Sequence, residues 1–95
     1  MKVKVVGVGL TKFGELWDKT LFDLASEASL EAINDSRLTI NQIEAVFVGN
    51  MIYGKLSGQD HLGAALASIL GITGAGVRVE GACASGGLAI HLAIQ

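Results

Sequence analysis

The cysteine at position 83 is the residue of this chain best suited to covalent chemistry, and it is the only cysteine in the sequence. It follows a β-branched run at 77–79 and precedes an apolar run at 88–94, with small residues on both sides. This pattern predicts a strand, a tight turn and a helix. The first N–H groups of such a helix lack intrahelical partners, and with the helix dipole they favour a thiolate. The spacing therefore predicts a nucleophile at a strand-to-helix corner.

Two other observations bear on Cys83. A lone cysteine among alanines and glycines is also typical of a small buried core residue. A catalytic cysteine normally has a basic partner, but His91 lies eight residues further along the predicted helix, about 12 Å away at about 1.5 Å per residue. We therefore interpret His91 as a structural or surface residue. Gly86 and Gly87 together cost a first helical turn about 1–2 kcal/mol relative to alanine, so we expect a second helix or a ligand to approach them closely.

Residues 79–89 resemble the nucleophile segment of the thiolase family, in which a Cys-Ala-Ser-Gly run opens a central helix. Three further stretches resemble that family in the right order. Residues 6–14 are similar to the opening strand and loop of its archaeal and sterol-carrier-protein-type branch, residues 43–50 to its second strand, and residues 58–60 to a glycine–glutamine segment before its second helix. The resemblance covers essentially all 95 residues. It implies an α/β, thiolase-like fold, with residues 1–95 as the N-terminal part of the first αβαβα half and no internal domain boundary.

The resemblance implies a transferase, an acyl-coenzyme A C-acyltransferase of the acetyl-CoA C-acetyltransferase or 3-ketoacyl-CoA thiolase type. Such enzymes form or cleave 3-ketoacyl-coenzyme A by Claisen chemistry. Cys83 would be the catalytic nucleophile that accepts the acyl group, and its backbone N–H a donor to the tetrahedral oxyanion. The histidine and second cysteine that the family also uses would lie beyond Gln95, so we expect residues 1–95 alone to be inactive. No cofactor is implied, since the coenzyme A thioester is the substrate.

The resemblance also implies a homodimer or homotetramer. Residues 49–60 have no regular period, and by resemblance they would lead across the subunit interface. Asn50, Gln59 and His61 are therefore candidate polar contacts near the partner's pocket, with ordinary loop or helix-capping roles as the alternative. Gly86 and Gly87 are candidate interface or substrate-binding residues, because they would let helices pack closely.

Three other functions stay open. A 3-ketoacyl synthase shares the fold and a cysteine at this corner, but it uses paired histidines and acyl-carrier protein, and its signature around the cysteine usually differs. A non-catalytic thiolase-like scaffold subunit would keep Cys83 without a base. An unrelated small α/β protein with a redox-reactive thiol would react with peroxide and transfer no acyl group.

Composition excludes several classes of function. The net charge is −2 and the basic residues are scattered, so nucleic acid and anionic membranes have no electrostatic support as partners. The uncharged stretch at 62–77 is too short and too rich in glycine to span a bilayer. No metal-ligand cluster is apparent in the sequence. A single cysteine cannot form an internal disulfide, which favours a reducing cytoplasm.

The hydrophobic content predicts that more protein surrounds this chain. Hydrophobic residues make up 51% of the sequence and charged residues 17%, with a mean hydropathy of +0.52. That is more apolar material than so small a domain buries easily. The run that ends at Gln95 also lacks a helix-end signal. We therefore expect a fragment of a longer protein.

Local signals predict the elements that would position Cys83. A valine-rich run at 3–8 predicts a strand buried on both faces. Thr20 and Asp23 predict a capping box for a helix to about Ser36, and Thr39 a short turn through Gln42. Residues 43–48 predict the next strand, so that strand, helix and strand form a βαβ unit. A helix at about 62–70 is predicted to end at Gly71.

Overall fold

The computed structural model describes residues 2–51 and 61–95. It divides the chain into two compact units, one that ends at Gln42 and one that runs from Ile43 to Gln95. The first unit contains helix α1 (Leu21–Ser36). The second carries Cys83 and contains strands β1 (Ala45–Gly49) and β2 (Ala75–Val79) and helices α2 (Leu62–Leu70) and α3 (Ser85–Ile94).

Helix α1 spans Leu21–Ser36 and begins with the predicted capping box. The Thr20 hydroxyl accepts a hydrogen bond from the Asp23 N–H at 3.1 Å, and the Asp23 carboxylate accepts one from the Thr20 N–H at 2.9 Å. The helix ends at Arg37, which has a left-handed backbone with φ of 63°. The predicted helix and its cap are therefore confirmed.

We expect Thr20→Ala to lower the free energy of unfolding by about 0.5–2 kcal/mol near neutral pH, because it removes the N-cap acceptor. The hydrogen bonds that Asp23 makes with the Thr20 backbone and hydroxyl hold the pKa of the Asp23 carboxyl below its usual value of 3.8. A carboxyl whose pKa is lower in the folded state stabilises that state above its unfolded pKa, and loses this effect as the pH falls through the folded pKa. Only the part of the cost of Thr20→Ala that arises from the bond between the hydroxyl and the Asp23 carboxylate should therefore be lost below about pH 4, because the larger cause, the Thr20 backbone N–H, remains in the variant.

Urea denaturation of the full-length protein and its Thr20→Ala variant, between neutral pH and pH 3, measures this difference. Glu31→Gln is the matched control, since it removes an exposed carboxylate from the same helix. A Thr20→Ala variant as stable as the parent protein at neutral pH would contradict the assignment of the cap.

The second unit is built on two parallel strands. Strand β1 spans Ala45–Gly49 and strand β2 spans Ala75–Val79, with Ala45 opposite Ala75 and Gly49 opposite Val79. Helix α2, Leu62–Leu70, lies between them in the chain, as a parallel pair requires a crossover connection. The strand predicted at 43–48 and the helix predicted at 62–70 are confirmed. The βαβ unit, however, is β1-α2-β2 and not the predicted unit around α1.

Helix α2 and strand β2 touch through their backbones. A Cβ atom at Gly63 of α2 would lie 2.6 Å from the Val77 nitrogen, and one at Gly76 of β2 would lie 2.5 Å from the Gly63 carbonyl oxygen. The helix ends as predicted at Gly71, with φ of 77°. The buried apolar side chains of this unit are Leu62, Leu66, Ala67, Ile72, Val79 and Ala89.

The strand predicted over residues 3–8 is wrong for this structure, because residues 2–13 have no regular secondary structure. Val5 and Val8 are 85% and 67% exposed, not buried on both faces. A strand is held by hydrogen bonds to a neighbouring strand. The described residues of the first unit contain no strand with which residues 3–8 could pair. The segment instead lies against α1, where the Val8 N–H donates to the Asp35 carboxylate at 3.0 Å.

Candidate functional site

Cys83 lies at a corner between β2 and the third helix. A 3₁₀ turn over Ala82–Ala84 follows the strand, and helix α3 spans Ser85–Ile94. The predicted strand, turn and helix are therefore confirmed. The Cys83 side chain is exposed in this chain and is not part of its buried core.

The backbone of the turn leaves a donor at Cys83. The Ala84 N–H donates to the Gly81 carbonyl at 3.0 Å, and the Ala82 N–H donates to the Glu80 carboxylate. The Cys83 N–H has no acceptor among the described residues. One residue thus offers an exposed thiol and an available N–H, the two groups that a nucleophile with an adjacent oxyanion donor needs.

Ser85 fixes this turn from inside the fold. It is 5% exposed, and its hydroxyl accepts from the Gly81 N–H at 2.9 Å and donates to the Ala82 carbonyl at 2.7 Å. Ala82 has φ of 51°, an unusual value for a residue with a Cβ atom. Sequence reasoning missed the contributions of Ser85 and Glu80. The available signal was a serine at the start of a helix, where a hydroxyl commonly bonds nearby backbone groups.

Asn50 lies at the same edge of the sheet as the Cys83 corner, because both follow the carboxyl ends of parallel strands. The Asn50 N–H donates to the Val79 carbonyl at 3.0 Å. The Arg78 guanidinium donates to the carbonyls of Asn50 and Met51 at 3.1 and 3.0 Å, and so ties the chain after β1 to β2. A Cβ atom at Gly49 would lie 2.9 Å from the Gly86 nitrogen. The end of β1 therefore packs directly on the start of α3.

The other predicted site residues are placed as follows. His61 is the N-cap of α2, with no side-chain capping bond, and its carbonyl accepts from the Ala65 N–H at 2.9 Å. Gln59 lies outside the described residues. Gly86 and Gly87 form the first turn of α3, and no described atom outside the helix's own backbone and their chain neighbours lies within 4 Å of a Cβ at either. The side-chain positions of Gly86 and Gly87 thus face no described part of the chain, whereas Gly49 of β1 approaches the Gly86 backbone closely.

Helix α3 also carries His91, which is exposed near its C-terminal end, as predicted. Within residues 2–51 and 61–95, no group of three or more histidine, cysteine, aspartate or glutamate residues is arranged to hold a metal ion.

Residues 3–95 match the model of a family described as thiolase, N-terminal domain. The chain is 45% identical over 94 residues to an acetyl-CoA acetyltransferase of Methanothermobacter thermautotrophicus, and 39% identical over 93 residues to that of Methanocaldococcus jannaschii. It is 39% identical over 98 residues to the benzoylsuccinyl-CoA thiolase subunit BbsB of Thauera aromatica. These alignments cover 98%, 97% and 99% of this chain, but only 24% of each relative.

Proposed function

Because the chain belongs to the thiolase family through the N-terminal domain of that family, we propose that it is part of an acyl-coenzyme A C-acyltransferase. This enzyme forms or cleaves 3-ketoacyl-coenzyme A by Claisen chemistry. The observation that carries the proposal is the exposed cysteine at the corner between β2 and α3. Two relatives named acetyl-CoA acetyltransferase support the substrate class. The interpretation as an unrelated redox protein is wrong, because the family match covers residues 3–95.

In the proposed reaction the Cys83 thiolate attacks the carbonyl carbon of an acyl-coenzyme A thioester. A bond from sulfur to the carbonyl carbon forms, the bond to the coenzyme A sulfur breaks, and coenzyme A leaves with the proton that Cys83 lost. The product is a thioester of similar free energy, so the acyl group can be passed on from Cys83 to the next acceptor without a large energetic cost. The Cys83 N–H stabilises the negative oxygen of the tetrahedral intermediate, as an available donor at such a position does.

The intact mass of the full-length protein, before and after incubation with acetyl-coenzyme A, tests this function. We expect one acetyl group per chain, mapped by peptide sequencing to Cys83. Iodoacetamide pretreatment is the control, since alkylation of the exposed thiol should prevent acetylation. The 95-residue polypeptide is a second control, and we expect it to show no condensing turnover.

The outcomes separate the functions that remain. No adduct from any acyl donor would favour a non-catalytic scaffold subunit. Acylation by acyl-carrier protein in preference to coenzyme A would favour a 3-ketoacyl synthase. An adduct on a residue other than Cys83 would contradict the proposed nucleophile.

We further propose that the full-length protein is a homodimer or homotetramer. Gly86 and Gly87 are open in the described chain, and Ile90 of the same helix is 64% exposed. Close packing against another backbone would offset the cost of two glycines in one helical turn. Light scattering of the full-length protein should give the mass of two or four chains, and the mass of one chain would contradict this.

A cytoplasmic location and a role in lipid metabolism complete the proposal. The longest described helix, α1, has 16 residues, fewer than the roughly 20 apolar residues that cross a bilayer. No helix in the described ranges meets the length and hydropathy of a membrane span. The free thiol of Cys83 is compatible with a reducing compartment. Fractionation of cells that express a tagged full-length protein tests the location.

A further inference from the structure

Two side chains hold the peptide groups on either side of Ala82, the residue before Cys83. The Ala82 N–H donates to the Glu80 carboxylate. The Ala82 carbonyl accepts from the Ser85 hydroxyl at 2.7 Å, and that hydroxyl also accepts from the Gly81 N–H. Since Ser85 is buried, its hydroxyl is a fixed point of the fold.

The bond from Ser85 has a consequence for Cys83. The Ala82 carbonyl and the Cys83 N–H belong to one peptide group, which is planar, and the described chain contains no cis peptide bond. In a trans peptide the C=O and N–H point in opposite directions. A side chain that fixes the Ala82 oxygen therefore also fixes the direction of the Cys83 N–H.

Ala82 itself would not keep this geometry unaided. Its φ of 51° lies in the left-handed region, which is unfavourable for a residue with a Cβ atom. Strained backbone of this kind persists where surrounding groups hold it, and it concentrates at functional sites. The side chains that hold it here are the Glu80 carboxylate and the Ser85 hydroxyl, and the Ser85 backbone N–H also donates to the Ala82 carbonyl.

We propose that Ser85 is a positioning residue for acyl transfer, which aims the Cys83 N–H at the oxyanion by holding the Ala82 carbonyl. Glu80 supports the same conformation through the Ala82 N–H. This inference rests on the proposed function, because it assigns a task to the donor of that reaction. Ser85 is buried, so it acts through Cys83 and not through contact with substrate.

The test compares the full-length enzyme with its Ser85→Ala variant. We expect kcat for acyl transfer to fall between about tenfold and a hundredfold, because a misdirected oxyanion donor loses most of its effect. KM for acetyl-coenzyme A should stay within about twofold, since uniform substrate binding is unchanged. The rate at which iodoacetamide alkylates Cys83 should also stay within about twofold, because that reaction forms no oxyanion. Ser68→Ala, at an exposed serine of α2, is the matched control.

Ala82→Gly provides a second arm. Glycine adopts positive φ without a steric penalty, so Ala82→Gly in the Ser85→Ala background should recover severalfold of the lost kcat. A structural defect elsewhere in the fold would not be rescued at position 82. If Ser85→Ala fails to fold, Glu80→Ala and Glu80→Gln take its place. The glutamine variant keeps an acceptor for the Ala82 N–H and should retain activity, whereas the alanine variant should lose kcat severalfold.

The two proposals fail in different ways. If the unmodified enzyme takes no acetyl group from acetyl-coenzyme A, the proposed function is wrong. The positioning role of Ser85 is then wrong as well, because it depends on that function. If the unmodified enzyme is acetylated on Cys83 and Ser85→Ala is acetylated equally fast, only the positioning role is wrong. Equal loss of kcat and alkylation rate in Ser85→Ala would also overturn it, because the defect would then lie in the thiol.

Discussion

Cys83→Ser should reduce acyl transfer by at least about a thousandfold in the full-length protein, an effect typical of the loss of a catalytic nucleophile. A serine hydroxyl in this position has no thiolate form to attack a thioester, and hydroxyl nucleophiles depend on an adjacent base for activation. The Cys83 side chain is exposed, so the free energy of unfolding should change by no more than about 0.5 kcal/mol. Steady-state turnover, acetyl incorporation by mass and urea denaturation measure these quantities.

Cys83→Ala is the control for this experiment, because it removes the polar atom altogether. Any slow acetylation of the serine variant that is absent from the alanine variant would place the new acyl group on the serine oxygen. Turnover retained by both variants would show that Cys83 is not the nucleophile. A large loss of stability in both would show that the exposed side chain has a packing role elsewhere in the assembly.

The parts of the fold that sequence predicted correctly depend on interactions within a few residues. Thr20 and Asp23 are three residues apart, and their reciprocal hydrogen bonds form inside one helical turn. Gly71 ends α2 by adopting a left-handed conformation that glycine allows. Both features follow from local chemistry, which a short window of sequence contains.

The strand predicted at residues 3–8 was wrong for the opposite reason. A valine-rich run shows that a segment suits a sheet, but a strand also needs a partner distant in sequence. The described residues that surround this run supply a helix, and Val8 bonds to Asp35 of that helix. Nothing in the run itself specifies whether a neighbouring strand is present.

The candidate site was predictable to a similar degree. The composition around Cys83 predicted the corner, and the structure decided that its thiol is exposed. The supporting contributions of Ser85 and Glu80 depend on the positive φ of Ala82. Alanine seldom adopts that conformation, so no propensity argument predicts it at this position. The hydrogen bonds from Glu80 and Ser85 to the Ala82 peptide groups depend on the path of the backbone, so only the structure reveals them.

The contact between α2 and β2 leaves no room for added volume, and Gly63→Ala should lower the free energy of unfolding by about 1–3 kcal/mol. The added Cβ would lie 2.6 Å from the Val77 nitrogen and 2.7 Å from the Arg78 nitrogen. Both are backbone atoms, which cannot move aside without shifting β2. Alanine is more favourable than glycine in a helix by about 1 kcal/mol. The expected loss is the net value that remains after this gain has been subtracted from the cost of the clash.

Ser68→Ala is the matched control, because it places alanine at an exposed position of the same helix. It should leave stability within about 0.5 kcal/mol. Urea denaturation of the two variants and the parent protein gives the comparison. A Gly63→Ala variant as stable as the parent would show that the two backbones do not touch.

Gly76→Ala approaches the same contact from the strand, since its Cβ would lie 2.5 Å from the Gly63 carbonyl oxygen. Either substitution alone must push α2 and β2 apart. Once they have separated, the second methyl group meets less resistance. The double variant should therefore lose less stability than the sum of the two single losses, as neighbouring sites that share one displacement do. Additive losses would indicate two independent contacts.

Because β2 leads directly into the turn that carries Cys83, the same displacement of β2 should also lower kcat for acyl transfer.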